Sequence, residues 1–204
     1  MANGTGTEQR SVSSKSRTLI LGLLLAILWG LEIADQLVLG ESLDSYGIKP
    51  RAWIGLRGIV LAPFLHGGFW HLTANTVPLF ILGWFVMLHG TTMFFEVSVM
   101  VMILGGLGTW LIGASNSVHI GASGLVFGYF GFLVLRGYFE RSLGSILIAV
   151  LVGSLYGGLL WGILPSQPRV SWEGHLCGFV GGVISAWLMV RYRGEPELDS
   201  GQRP

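Results

Sequence analysis

Long apolar runs alternate with short polar breaks along this chain. The runs occupy residues 18–38, 71–88, 92–112, 121–138, 143–163 and 172–192. Each is close to the ~20 residues a helix needs to cross the hydrocarbon of a bilayer. Residues 39–70 form one long connection, itself rich in apolar side chains such as Trp53, Ile54, Leu56, Ile59, Phe64 and Trp70. Apolar content without a clean span predicts a segment lying partly in the interface and packed on the helices. The expected architecture is all-α: six membrane helices over 18–192, between polar tails at 1–17 and 193–204.

Composition agrees with that pattern. The 204 residues are 51% hydrophobic and 11% charged, with a mean hydropathy of +0.66, whereas soluble domains carry roughly 25% charged residues. The 32 glycines suit a membrane bundle, where glycine lets helix backbones approach closely. A net charge of +1 points to no nucleic-acid partner. The single cysteine, Cys177, excludes an internal disulfide and a cysteine-rich metal site, and is expected to be a small packing residue. The tail is polar through Arg17 and the next run is too long for a cleavable signal, so a retained signal anchor is expected.

Charge also sets an expected orientation. Arg10, Lys15 and Arg17, then Arg136 and Arg141, then Arg191 and Arg193 fall on one face of a six-span topology. The opposing short connections carry only Arg169. Both termini are therefore expected in the cytoplasm. The long connection, with Lys49, Arg51 and Arg57, goes against this rule.

Four polar side chains then share one depth. Ser123 is expected about one turn inside span four, and His175 about one turn inside span six. His71 and Asn75, spaced i, i+4 on one helical face, open span two. All three spans start at the outer face. A serine hydroxyl is a weak nucleophile until a base takes its proton, and a neutral histidine can do so near pH 7. Ser123 is the candidate nucleophile and His175 the candidate general base and acid. His71, Asn75 and the Ser123 backbone N–H are candidate donors to an oxyanion. Gly121 and Gly124 leave room beside the hydroxyl. Gly174, Gly178 and Gly182 bare one face of span six, so that it can approach span four.

The remaining polar groups are given structural readings. Glu173 is two residues from His175, points elsewhere, and is expected to face water. His66 is expected to fix its loop by a hydrogen bond. A metal at His66, His71 and His175 would lack a carboxylate or thiolate partner and leave Ser123 unused, so neither metal nor cofactor is expected. His119 falls in a connection and is read as outside the site. Glu32 and Asp35, at i, i+3, and Glu96 are expected to snorkel at an interface. A transporter or channel would place polar groups at the midplane, whereas here they cluster near the outer face. A non-enzymatic protein that binds transmembrane helices is the alternative to an enzyme.

Three segments together resemble the rhomboid family of intramembrane serine proteases: His66-Gly67-Gly68-Phe69-Trp70-His71-Leu72-Thr73-Ala74-Asn75, Gly121-Ala122-Ser123-Gly124, and His175-Leu176-Cys177-Gly178-Phe179-Val180-Gly181-Gly182. They come in the family's order and on its spans two, four and six. The resemblance implies a six-helix bundle of the basic prokaryotic type in the plasma membrane, with the site opening to the extracytoplasmic side. It implies Ser123 as nucleophile, His175 as base, and His71 and Asn75 in the oxyanion hole. Substrates would be membrane-anchored proteins cut near the outer end of a transmembrane segment, and 39–70 would be the membrane-embedded loop. Inactive relatives that only bind helices usually lack the Ser or the His. Two departures stand out. Phe127 replaces a frequent Tyr four residues after the nucleophile, and the frequent Trp-Arg pair of the first loop is absent, Leu56-Arg57 being nearest.

Overall fold

The structure is a computed structural model that describes residues 13–165 and 170–193. Arg10, Arg169, most of the N-terminal tail and the C-terminal tail beyond Arg193 lie outside the described residues. Seven α-helices follow in order among the described residues: α1 Ser14–Ala34, α2 Gly58–Leu61, α3 Phe69–Met87, α4 Thr91–Ile112, α5 Ser123–Glu140, α6 Leu143–Tyr156 and α7 Trp172–Arg193. Among the described residues there is no strand; one antiparallel bridge joins Ile48 to His119.

Five helical segments among the described residues are long and apolar enough to cross a membrane: Ser14–Leu39, Phe69–Met87, Thr91–Ile112, Leu143–Ile163 and Trp172–Tyr192. The remaining expected run, 121–138, falls on α5, which is long but less apolar than those five, because it contains Gly128, Gly131, Gly137, Arg136 and Glu140. Its packing explains that composition. Leu125 through Leu133 are buried without interruption, so α5 is covered on all sides and has no lipid-facing stripe to keep apolar. The Tyr129 hydroxyl inside it lies 2.7 Å from the Ser98 hydroxyl, which satisfies a polar group that would otherwise be costly there.

Helix ends explain the differences from the expected runs. α1 begins at Ser14, earlier than the apolar run, because the Ser13 side chain accepts the Lys15 N–H. It ends in one π turn, Asp35–Leu39, closed by Gly40 at φ 60°. α5 stops at Arg141 in the left-handed region, and Ser142 then caps α6 by accepting the Ser145 N–H. α6 runs on as a 3-10 segment, Gly157–Ile163. α5 starts at Ser123 itself, so Ser123 is the first helical residue and not one turn inside. The reason is Gly121, whose φ of 115° turns the chain just before the helix.

Glycines set the closest approach in the bundle. A Cβ on Gly178 would overlap the Gly124 carbonyl, and one on Gly182 the Gly128 carbonyl. α5 and α7 therefore touch backbone to backbone. α4 closes on the same place, where a Cβ on Gly105 would come 3.1 Å from the Gly178 Cα.

The long connection folds as three short 3-10 turns, Leu43–Tyr46, Trp53–Arg57 and Ala62–Phe64, around α2. It packs on α4 where Ile59 meets Gly106, while Trp53 is 84% exposed. Its arginines are engaged. Arg51 donates to the Leu111 carbonyl at 2.8 Å and to Ser115 Oγ at 2.7 Å. Arg57 donates to the Ser45 carbonyl and lies 4.1 Å above the Tyr46 ring. The reading of Glu32 and Asp35 as snorkelling charges is corrected here. Both are 2% exposed, and Asp35 Oδ1 accepts the Leu43 N–H at 3.0 Å. The connection covers them, which the isolated helix pattern could not show.

Candidate active site

Ser123 and His175 face each other across the α5–α7 contact. Ser123 Oγ lies 2.9 Å from His175 Nε2. His175 Nδ1 lies 2.9 Å from the Gly162 carbonyl, which can only accept. Nδ1 therefore carries the ring proton, and Nε2 presents its lone pair to the serine hydroxyl. The Phe127 ring stacks on the imidazole at a centroid distance of 4.1 Å and 8°. Stacking thus needs no tyrosine hydroxyl at this position. The imidazole is fixed in its plane, its direction and its tautomer, and a hydroxyl so placed can lose its proton as it attacks.

The first turn of α3 borders the same point. A Cβ built on Gly121 would lie 2.7 Å from His71 Cε1, 2.8 Å from His71 Nε2 and 3.7 Å from Ser123 Oγ. Glycine is required at 121 both for its φ and for this space. His71 Nδ1 accepts the Gly67 N–H at 3.3 Å, so His71 Nε2 carries the proton and is a donor facing the space beside Ser123. Asn75, one turn further, is buried and donates one amide hydrogen to the His71 carbonyl at 2.9 Å. A second amide hydrogen remains. The Ser123 N–H belongs to the first turn of α5, whose N–H groups have no partner within the helix.

His66 has the loop-fixing place expected of it. It is 1% exposed, and its Nε2 accepts the Ala122 N–H at 3.2 Å, which ties the His66 loop to the residue before Ser123. Burial, together with neighbouring His71, pushes its pKa down to about 3. The unfolded chain therefore takes up a proton on this residue near pH 6.5 that the folded chain refuses. Stability is expected to fall as pH drops from about 6.5 toward 3. His66→Gln, which can keep an acceptor, should make the unfolding midpoint in detergent less sensitive to pH across this interval. An unchanged pH dependence would show that another group causes it.

One sequence reading is corrected. Glu173 does not face water: it is 6% exposed and accepts the Ala114 N–H at 3.2 Å, because the α4–α5 connection folds over the start of α7. His119 is also buried, its ring bonded to Ser117 and Ser171. Gly162, whose carbonyl lies on His175 Nδ1, and Ser171, which accepts the Gly174 N–H, adjoin the pair and were not singled out from the sequence. A signal existed for one pair: His119 and Ser171 precede Ser123 and His175 by four residues each. Gly162 acts through its carbonyl, which leaves no mark in a sequence.

A narrow cleft runs from Ser123 between the long connection, α4 and α7. It is lined by Ile59, Met102, Thr109, Leu125 and Ser171 among others. The fold and site together define a helical bundle with a hydroxyl–imidazole pair at one end of two helices that meet at their glycines. Comparison with known proteins places it further. Residues 54–192 match the rhomboid domain family model, and the chain belongs to the rhomboid family. It is an integral, multi-pass membrane protein. It is 45% identical over 172 residues to an uncharacterised protein of Mycobacterium tuberculosis, covering 80% of this chain and 71% of that one. A Bacillus subtilis protein provisionally named rhomboid protease YdcA is 28% identical over 181 residues, covering 85% and 88%. Rhomboid-like protein 11 of Arabidopsis thaliana chloroplasts is 30% identical over 152 residues, covering 65% and 52%.

Proposed function

We propose that this protein is an intramembrane serine endopeptidase that hydrolyses a peptide bond at the outer end of transmembrane segments of membrane-anchored proteins. The observation that carries the reading is the hydrogen bond from Ser123 to a His175 held in the competent tautomer by the Gly162 carbonyl. Ser123 attacks the carbonyl carbon while His175 Nε2 takes its proton, and His175 then returns that proton to the leaving amine. Water hydrolyses the resulting acyl-enzyme with His175 again as base. The oxyanion forms beside Gly121, where His71 Nε2–H, the free Asn75 amide hydrogen and the Ser123 N–H converge as donors.

α5 is the sixth crossing in this reading, and both termini are cytoplasmic. The paired Arg136 and Glu140, 2.6 Å apart, lie at the inner end of α5. Exposed Trp53, Trp70 and Trp161 lie at the Ser123 end of the bundle, as an interfacial aromatic belt would. The Lys49, Arg51 and Arg57 exception has a physical account. Arg51 and Arg57 are bound to carbonyls, a hydroxyl and a ring, and the connection has folded on the outer side.

The test is cleavage of a reporter transmembrane segment in liposomes, with labelling of Ser123 by a fluorophosphonate probe. Wild-type protein that neither cleaves nor labels overturns the reading, and so does labelling that persists in Ser123→Ala. The oxyanion assignment has its own consequence. Asn75→Ala and His71→Ala should each lower kcat about 10²–10³-fold with little change in KM. A rise in KM at constant kcat would instead make these residues ground-state binders.

A further inference from the structure

A second hydroxyl–imidazole pair lies four residues before the first in both segments. Ser123 and His175 are 52 residues apart and 2.9 Å from each other. His119 and Ser171 are also 52 residues apart, with His119 Nδ1 2.6 Å from Ser171 Oγ. The residue types are exchanged: the helix that carries the site histidine is preceded by a serine, and the helix that carries the site serine by a histidine.

The proton positions in this pair can be assigned. Ser171 Oγ accepts the Gly174 N–H at 3.2 Å, and the Ser171 carbonyl accepts the His175 N–H at 3.0 Å. Ser171 is therefore the N-cap of the helical turn that holds His175. Ser117 gives its hydrogen to the Ala114 carbonyl at 2.6 Å, so its oxygen accepts from His119 Nε2 at 2.7 Å, and His119 Nδ1 is left to accept the Ser171 hydrogen. The Ala114 N–H returns to Glu173 on α7, which closes a ring from α7 through the α4–α5 connection and back to α7. The main chain of His119 is fixed as well, since it exchanges two hydrogen bonds of 2.9 Å with Ile48. Burial disfavours the charged ring, opposed by Glu173, and a neutral ring is what this donor pattern requires.

We infer that His119, through Ser171, is a positioning residue that sets the distance and direction of His175 relative to Ser123. This rests on the reading of Ser123 and His175 as the catalytic pair. His119 touches no reacting atom. Its ring holds the cap of the His175 helix, and its backbone leads directly into the Gly121 turn before Ser123. One residue thus fixes both sides of the catalytic hydrogen bond. A merely structural residue would alter the folded fraction, whereas a positioning residue alters turnover per folded site.

The test uses the full chain in detergent, with the ring nitrogens of its five histidines labelled with ¹⁵N and assigned by single substitutions. Turnover and fluorophosphonate labelling are measured per folded molecule. Ser171→Ala is expected to shift the His175 ring resonances and to lower kcat and the labelling rate together by about 10- to 100-fold, with KM unchanged. His119→Ala leaves a buried gap, so two polar variants decide. His119→Asn, whose Oδ1 can accept from Ser171, should keep most of the activity and the native His175 resonances. His119→Gln, whose amide falls nearer the place of Nε2, should behave like Ser171→Ala. Native His175 resonances and wild-type rates in Ser171→Ala and His119→Gln would overturn the inference. The resonances decide it even if the wild-type protein proves not to cleave, which would count against the protease reading instead.

Discussion

Ser123→Ala is expected to lower cleavage of a transmembrane reporter by at least ~10⁴-fold, and His175→Ala by about as much. The size follows from the chemistry at 2.9 Å between Oγ and Nε2. Without the hydroxyl no acyl-enzyme can form, and without the imidazole the hydroxyl keeps its proton at neutral pH. The two groups act as one unit, so the double variant should be scarcely slower than either single one. Residual turnover would come from the oxyanion donors, which both variants retain. Ser123→Ala should not unfold the protein, since it removes one hydrogen bond, worth about 1 kcal/mol, whereas His175→Ala also removes the Phe127 stack and the Gly162 hydrogen bond and should lower the unfolding midpoint more. Initial rates in liposomes, read beside unfolding midpoints, check both halves. A wild-type rate in either variant would place the chemistry elsewhere.

That Ser123 and His175 meet was legible because both stand near the start of a helix. Residues near the starts of two helices that run in the same direction lie at the same end of a bundle, and the Gly174, Gly178 and Gly182 repeat indicated a helix able to approach closely. Side-chain surroundings were less legible wherever a distant segment covers a helix end. Glu173 was correctly read as turned away from Ser123. That it meets the Ala114 N–H depends on how residues 113–122 fold back, and no helical periodicity describes that segment. Glu32 and Asp35 look like interfacial charges on an isolated helix, yet both are buried once the long connection lies over them. α5 shows the limit from the other side. It is not one of the five segments apolar enough to cross a membrane, and the burial of Leu125 through Leu133 on every side is the reason it can be less apolar. Phe127 departs from the family pattern, and its ring-on-ring contact with His175 shows that the aromatic face is the part this chain retains.

Gly182→Ala tests the contact on which the site depends. The added Cβ would overlap the Gly128 carbonyl and come 3.0 Å from the Gly128 Cα. Both are backbone atoms of α5, so no side chain can swing aside, and the helices must separate. Overpacking of this kind costs typically about 1–3 kcal/mol, and more where the backbone has to move. The same seam continues one turn away at Gly178 against Gly124, next to the Ser123–His175 hydrogen bond. A separation of about 1 Å there is enough to cost on the order of 10²-fold in rate. Gly182→Ala should therefore lower the unfolding midpoint in detergent and reduce turnover per folded molecule, a combination that loss of a lipid-facing glycine would not produce. Gly153→Ala is the control, because a Cβ there meets nothing within 4 Å. It should leave activity unchanged and stability equal or higher, since alanine is favoured over glycine within a helix by about 0.5–1 kcal/mol. If Gly182→Ala matches Gly153→Ala in both measurements, α5 and α7 do not meet along this glycine face, and the close approach that brings His175 to Ser123 must come from the Gly105 face of α4 instead.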